Sequence, residues 1–275
     1  MAVTFHKMHG LGNDFVLLDL RDQVFPINKK VAIQLADRHT GIGCDQILIL
    51  RQPFSDQALA SFEIWNADGS QAEQCGNGVR CLGLYLHYRS ETPAGRFLLE
   101  GPAGIVKIEC LADNQVRVDM GRPIFEASRV PVLLEPVDGW YPLEIDQQRH
   151  RLGVASMGNP HALMLVNDID TTDVAGLGAA ISSHPAFVQG CNVGFAEVVD
   201  RGNIRLRVFE RGAAETRACG SGACAAMSIL RNLGLVDETV IVTQTGGNLI
   251  ITWTGGLKPV IMKGSATQVF KGTLT

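Results

Sequence analysis

The sequence lacks the features of membrane and nucleic-acid-binding proteins. No stretch approaches the run of about 18 consecutive apolar residues that a membrane helix needs, and no charged segment followed by an apolar run begins the chain. Charged residues make up only 19% of the chain, and the net charge of -4 comes without a basic stripe of the kind that neutralises phosphates. These absences predict a cytoplasmic protein with a small-molecule partner and with no membrane or nucleic-acid partner.

Motifs for metals and nucleotides are also missing. The seven cysteines form an odd set without a Cys-x-x-Cys pair, which favours free thiols over disulfides or structural zinc. There is no Gly-x-x-x-x-Gly-Lys-Ser/Thr loop and no complete Gly-x-Gly-x-x-Gly in a βαβ unit. We therefore expect neither a metal nor a cofactor. A zinc-stabilised binding module and a nucleotide binder are the alternatives from other function classes, to be tested by metal analysis and by thermal stabilisation with nucleotides.

An internal repeat organises the chain. Residues 62–66 and the turn that follows them at Cys75 match residues 206–210 and the turn at Cys219, at an offset of 144 residues. In both copies an alternating apolar pattern, typical of a strand, leads to the motif Cys-Gly-x-Gly. A chain of 275 residues is also long enough for two domains. The repeat therefore predicts two duplicated domains.

The local patterns predict an α+β fold. Residues 79–86 and 223–230, after the two motifs, are apolar almost all round and indicate buried helices. Alternating patterns predict strands at 15–20, 47–50, 116–120 and 239–243. The predicted architecture is two pseudo-symmetric domains, each a curved, mostly antiparallel sheet wrapped around one central apolar helix. Their predicted bounds are 1–119, to which 265–275 return, and 120–264.

The two motif cysteines, Cys75 and Cys219, are the candidate catalytic residues. A helix N-terminus offers unpaired N–H groups and partial positive charge, so it binds carboxylates and is expected to acidify a thiol placed there. A thiolate and a thiol on opposite faces of an α-carbon can remove a proton and return one with inverted configuration. The remaining cysteines, at 44, 81, 110, 191 and 224, are expected to be small buried apolar residues.

Several segments together resemble diaminopimelate epimerase. The resemblance covers essentially the whole chain, and its motifs lie at residues 9–15, 66–70, 75–81, 158–161, 210–212 and 218–222. It implies interconversion of LL- and meso-2,6-diaminopimelate, in lysine and peptidoglycan-precursor synthesis, without a cofactor. The runner-up within the enzyme class is a proline or hydroxyproline racemase of the same superfamily, which also uses paired cysteines.

The resemblance also implies roles for individual residues. Cys75 and Cys219 match the catalytic pair, and His161 and Glu210 match positions that adjust the proton affinities of the cysteines. The substrate-binding positions are Asn13, Gln46, Asn66, Gly76, Asn77, Asn159, Asn192, Glu210, Arg211, Gly220 and Ser221. Taken singly, each of these residues also has a purely structural interpretation. The asparagines are equally typical of turns and caps. His161 could be a structural histidine, and Arg211 could belong to a surface turn.

A homodimer is implied as well. Phe270 stands at the place of a tyrosine that the family uses in dimer contacts, so this chain keeps the ring and loses the hydroxyl.

Overall fold

The structure, a computed structural model, describes residues 2–91 and 95–274. These residues form two compact units. The first unit consists of two segments, the chain up to Asp119 and the chain from Gly264 onward, and the second unit is Met120–Lys263. Within the described residues, no helix is both long enough and apolar enough to cross a membrane.

The chain up to Asp119 contains seven strands and two helices among the described residues. In chain order they are β1 (Val3–Gly10), β2 (Asn13–Asp19), α1 (Lys29–Ala36), β3 (Gln46–Arg51), β4 (Ala60–Asn66), α2 (Gly76–Tyr88), β5 (Arg96–Gly101), β6 (Gly104–Cys110) and β7 (Gln115–Asp119).

The remainder of the chain begins with a single 3-10 turn at Ala127–Arg129. The elements that follow are β8 (Tyr141–Ile145), β9 (Gln148–Ser156), β10 (Pro160–Leu165), α3 (Val174–Ser182), β11 (Asn192–Asp200), β12 (Asn203–Glu210), β13 (Ala214–Thr216), α4 (Gly220–Asn232), β14 (Thr239–Gln244), β15 (Gly247–Thr252), β16 (Ile261–Ser265) and β17 (Thr267–Leu274).

The two units share the same order and direction of strand pairing. In the first unit the strands pair in the order β17-β1-β2-β3-β4-β5-β6-β7, and only β2–β3 and β4–β5 are parallel. In the second unit the order is β8-β9-β10-β11-β12-β14-β15-β16, and only β10–β11 and β12–β14 are parallel. Short β13 adds to β12 as a further antiparallel partner. The predicted duplication of a mostly antiparallel sheet is confirmed.

Each sheet curves around a buried helix. Helix α2 contacts β17, β1 and β2 as well as β6 and β7, which lie at the other end of the same sheet. Helix α4 likewise contacts β9, β10 and β11 as well as β14 and β15. Every residue of α2 from Gly76 to Leu86 is buried, and each buried leucine contributes about 1.5–3 kcal/mol of hydrophobic stabilisation. The predicted central apolar helices are therefore confirmed.

Helices α1 and α3 were not predicted. They cross from β2 to its parallel neighbour β3 and from β10 to β11, where a crossover connection is required. Both are short, at 8 and 9 residues. Their start signals are the N-caps Asn28 and Asp173, whose side chains accept backbone N–H groups of the first turn. A search for caps could have found them.

The close approach of β9 to α4 depends on Gly153, and this gives a stability prediction. A Cβ atom at position 153 would collide with the side chain of Ile229. We expect Gly153→Ala to lower the free energy of unfolding by about 1–3 kcal/mol, because an overpacked core must shift. The urea midpoint measures the effect.

The matched control is Gly202→Ala, because the atom nearest to its new Cβ would be Asp200 Oδ1 at 3.5 Å, an ordinary contact. We expect this variant to stay within about 0.5 kcal/mol of the wild type. Equal midpoints for the two variants would contradict this account of the packing.

Candidate active site

One edge of the sheet in the first unit collects the polar residues predicted there. Asn13 begins β2, Gln46 begins the parallel strand β3, and Asn66 ends the antiparallel strand β4. The register pairs Gln46 with both Phe15 and Asn66, so the three polar residues lie at the same edge. Gln46 Nε2 donates a hydrogen bond to Asn66 Oδ1 over 2.8 Å. Strand topology alone therefore brings these positions together.

Cys75 is the N-cap of α2. Its Sγ accepts the backbone N–H of Gly78 at 3.4 Å and donates to Asn13 Oδ1 at 3.8 Å. The buried side chain of Asn77 donates from Nδ2 to the same Asn13 oxygen at 3.1 Å. Gly76, also buried, lies in this first helical turn. The structure thus joins Cys75, Asn13 and Asn77 directly.

The second unit repeats this edge. Asn159 directly precedes β10, Asn192 begins the parallel strand β11, and Glu210 ends the antiparallel strand β12. Asn192 connects two of these strands, because its Oδ1 accepts the backbone N–H of Arg211 at 2.9 Å and its Nδ2 donates to the carbonyl of Pro160 at 3.5 Å. The predicted positions again share one edge.

Cys219 is the N-cap of α4, at the place that Cys75 occupies in α2. Its Sγ accepts the backbone N–H of Gly222 at 3.4 Å and lies 3.6 Å from Ser221 Oγ, and Gly220 is buried in the same turn. The backbone N–H of Cys219 donates to Oε1 of buried Gln244 at 2.8 Å. Gln244, at the end of β14, holds this cysteine in place, and no local sequence signal indicated it.

The proton affinity of Cys219 differs from the sequence-based expectation. Burial raises the pKa of the Cys219 thiol well above its usual value, and the nearby Glu210 carboxylate raises it further. Hydrogen bonds from Ser221 and from the Gly222 amide act in the opposite direction and are outweighed. The expected acidification is therefore wrong for Cys219, because a thiolate that is 4% exposed beside a carboxylate loses more from desolvation and repulsion than the helix end supplies.

His161 is a neutral residue that orients Asn159. Burial lowers the pKa of His161 to about 3, with a smaller contribution from the charge of Arg211. The neutral ring donates from Nε2 to Asn159 Oδ1 over 2.9 Å, which directs the amide nitrogen of Asn159 away from the ring. Any influence of His161 on a cysteine at neutral pH therefore acts through hydrogen bonding and not through a positive charge.

Arg211 presents a cation without a carboxylate partner in the part of the chain that the structure describes. Its exposed guanidinium donates from Nη1 to the carbonyl of Gln189 at 2.6 Å. An arginine that is held by a carbonyl keeps its charge and further donors for an external anion. The geometry of Arg211 fits a carboxylate-binding role.

Metal-ligating side chains do not converge. Over residues 2–91 and 95–274, no group of three or more His, Cys, Asp or Glu side chains is arranged to hold a metal ion. All seven cysteines are free thiols. The zinc-module alternative therefore finds no support in the described geometry.

The contact of Glu210 with Cys219 predicts a shift in thiol titration. We expect Glu210→Gln to lower the pKa of Cys219, because the substitution removes the negative charge that opposes the thiolate. The pH dependence of Cys219 alkylation, followed by peptide mass spectrometry, should shift to lower pH. Glu215→Gln is the control, since Glu215 lies on the neighbouring strand β13 and pairs with Arg207 at 2.7 Å. An unchanged Cys219 profile in Glu210→Gln would contradict this assignment.

Comparisons with known proteins agree with this geometry. A family model described as diaminopimelate epimerase matches residues 5–126 and 153–269. The diaminopimelate epimerase of Thioalkalivibrio sulfidiphilus is 47% identical, over 100% of this chain and 99% of that protein. The one from Pseudomonas entomophila is 46% identical, over 99% of both chains.

Solved structures with the same fold have more distant sequences. A hydroxyproline epimerase from Agrobacterium vitis superposes with a TM-score of 0.72 at 16% identity, over 99% of this chain and 92% of that one. A probable proline racemase from Agrobacterium radiobacter gives 0.74 at 17% identity, over 99% and 93%. These likenesses show the fold alone, whereas the family model and the relatives at 46–47% identity identify the family. The chain belongs to the diaminopimelate epimerase family.

Proposed function

We propose that this protein is an epimerase that interconverts LL- and meso-2,6-diaminopimelate, in lysine and peptidoglycan-precursor biosynthesis. Full-length relatives of this name at 44–47% identity support the substrate. The observation that carries the chemistry is the pair of cysteines, Cys75 and Cys219, each capping the central helix at the same place in the repeat. A proline or hydroxyproline racemase, the runner-up, has support only at the level of fold.

The reaction is a two-base exchange in which Cys75 and Cys219 each supply one sulfur. A thiolate takes the proton from the α-carbon, and a thiol gives a proton to the opposite face. The raised pKa of the Cys219 thiol suits it to hold the proton, so Cys75 is the base in one direction of the reaction. Reversal exchanges the two roles. No cofactor takes part in these steps.

The helix N-termini are suited to stabilise the substrate α-carboxylate. Backbone N–H groups of Gly76 and Asn77 in α2, and of Gly220 and Ser221 in α4, belong to first helical turns, whose amides point toward the end of the helix and suit an anion there. Negative charge grows on the carboxylate as the α-proton leaves, so donors already in position lower the barrier.

The distal end of the substrate requires different partners. Arg211 has the geometry to pair with the distal carboxylate bidentately, and Glu210 offers a carboxylate to an ammonium group. The remaining polar positions assigned to the substrate are Asn13, Gln46, Asn66, Asn159 and Asn192. A long substrate with two charged ends needs this many polar contacts, whereas a compact ring does not.

We further propose that the protein is a cytoplasmic homodimer. In β17, Phe270 is 48% exposed and Val269 is 57% exposed. The Phe270 ring packs edge-on against Phe5 of β1, with ring centroids 6.0 Å apart. A half-buried apolar ring on an exposed strand is a suitable anchor for a second subunit.

Removing either sulfur should abolish epimerisation. We expect Cys75→Ala and Cys219→Ala each to lower kcat by about a thousandfold or more, because one face of the stereocentre loses its proton carrier. Conversion of LL- to meso-diaminopimelate by purified, folded variants measures this. Cys110→Ala is the control, since this thiol donates to the carbonyl of Gly83 and caps no helix. Near-normal activity in either test variant would exclude the two-base reaction.

Specificity for diaminopimelate should depend on Arg211. L-Lysine has the same chain without the distal carboxylate. A guanidinium that the bound substrate covers from water but leaves unpaired should disfavour L-lysine by about a thousandfold in kcat/KM. We expect Arg211→Lys to lose much of this preference, because an ammonium keeps the charge but not the planar fork. The measurement is kcat/KM for both substrates.

The control for this prediction is Arg205→Lys, an exposed arginine on β12 that already pairs with Asp170 at 2.6 Å and with Glu197 at 3.1 Å. We expect this variant to keep the preference of the wild type. Full preference retained in Arg211→Lys and Arg211→Ala would exclude the distal-carboxylate assignment.

A further inference from the structure

A continuous chain of hydrogen bonds connects a surface arginine to the Cys75 sulfur. Arg38 Nη2 donates to Asp45 Oδ1 at 2.7 Å, and Asn13 Nδ2 donates to Asp45 Oδ2 at 2.9 Å. At its other end the Asn13 amide accepts from Cys75 Sγ at 3.8 Å. Neither Arg38 nor Asp45 belongs to the sequence motifs or to the site residues assigned above.

Asp45 is held firmly in this position. Its Oδ2 also accepts the backbone N–H of Asp14 at 3.1 Å, and its own backbone N–H donates to Asp14 Oδ1 at 3.0 Å. Asp14 is anchored in turn by ion pairs with Lys7 at 2.6 Å and with Arg38 at 2.7 Å. Because Asp14 and Asp45 each accept the backbone N–H of the other, the Asp45 carboxylate has little freedom to rotate.

The polarity of Asp45 determines which way the Asn13 amide faces. An asparagine amide has a donor end and an acceptor end, whereas a carboxylate paired with an arginine only accepts. The Asn13 NH2 group must therefore face Asp45. Its oxygen is then directed at Cys75 Sγ, and it also accepts from Asn77 Nδ2 at 3.1 Å.

We propose that Asp45 is a positioning residue for the epimerisation, one that fixes the amide of Asn13 with its oxygen toward the Cys75 sulfur. This inference rests on the proposed function, because it takes Cys75 as one of the two proton carriers. The oxygen stabilises the protonated sulfur and gives no stabilisation to the thiolate.

In the second unit, different residues provide the acceptor near the sulfur and orient the asparagine. There the acceptor that favours the protonated sulfur of Cys219 is the Glu210 carboxylate, and Asn159, the counterpart of Asn13, is oriented by His161. Asn192, which the strand register makes the counterpart of Gln46, binds backbone groups. Both sulfurs thus have an oxygen nearby that favours the thiol over the thiolate.

Other charges surround the turn between β1 and β2 and enter any titration of Cys75. The charged or ionisable groups are Lys7 and His9 on β1, Asp14 on β2, Arg38 and Asp45 between α1 and β3, and Arg80 on α2, and the neutral thiol of Cys81 lies on α2 as well. The test therefore has to separate the loss of a charge from the turning of an amide.

The test compares Asp45→Asn, Asp45→Glu and Asp200→Asn. Asp200 is the matched control, since it accepts the Nδ2 of Asn203 at 2.8 Å and the backbone N–H of Gly202 at 2.7 Å, at the opposite end of β11 from the site residue Asn192. For each variant we measure kcat and KM, and the pH midpoint of Cys75 alkylation at low and at high salt.

For Asp45→Asn we expect kcat to fall about tenfold or more. The alkylation midpoint of Cys75 should move down by about one pH unit, because a reversed Asn13 amide donates to the thiolate. A reversed amide acts over contact distance, so the shift should persist at high salt, which screens the loss of an exposed charge. Asp45→Glu keeps the acceptor and should recover part of kcat, and Asp200→Asn should match the wild type.

Three outcomes would overturn the proposal. They are a kcat within twofold of the wild type in Asp45→Asn, a fall in kcat without a shift in the Cys75 midpoint, and a shift that disappears at high salt. Failure of the proposed function is a separate result, because it would appear as no conversion of LL-diaminopimelate by the wild-type protein, whereas the alkylation midpoint reports the Asn13 amide whatever the reaction.

Discussion

The sulfur at the start of each central helix is the interaction on which both fold and chemistry depend. Cys75 and Cys219 accept the third amide of α2 and α4 at 3.4 Å. Serine, threonine, aspartate and asparagine are the preferred caps, and an oxygen acceptor there contributes about 1 kcal/mol, whereas a thiol sulfur is a weak acceptor. Both helices therefore give up capping energy at the same place, and the gain is a titratable sulfur at the end of a helix dipole.

That sulfur is subject to opposing influences. The helix end and its amides favour the thiolate, while burial and Glu210 favour the thiol at Cys219, and the oxygen of Asn13 favours the thiol at Cys75. A reaction that must run in both directions requires such opposition, because a sulfur fixed in one protonation state could only give or only take. The duplicated fold supplies the same helix end twice, and residues outside the Cys-Gly-x-Gly motif favour the thiol in each copy.

Local sequence patterns predicted the repeated helices and strands, and they did not predict the contacts between residues that lie far apart in the chain. The helices after each Cys-Gly-x-Gly motif and the strands before them follow from local patterns, and these predictions are confirmed. The bond from Asn13 to Asp45 spans 32 residues and exists only because β2 and β3 pair. The raised pKa of Cys219 comes from burial and from Glu210, neither of which a local pattern reveals. The roles assigned to the site residues stay predictions.

The pairing of β1 with β17 has a consequence for synthesis on the ribosome. The ribosome synthesises the chain from its N-terminus, and the second unit is the continuous segment Met120–Lys263. That whole unit is therefore synthesised before β17, the strand that pairs with β1. During that interval β1 has β2 on one side and unpaired N–H and C=O groups on the other, as an edge strand open to wrong partners. Most multidomain chains fold their N-terminal domain first during translation. Here the unit that is synthesised first is the one that completes its sheet last.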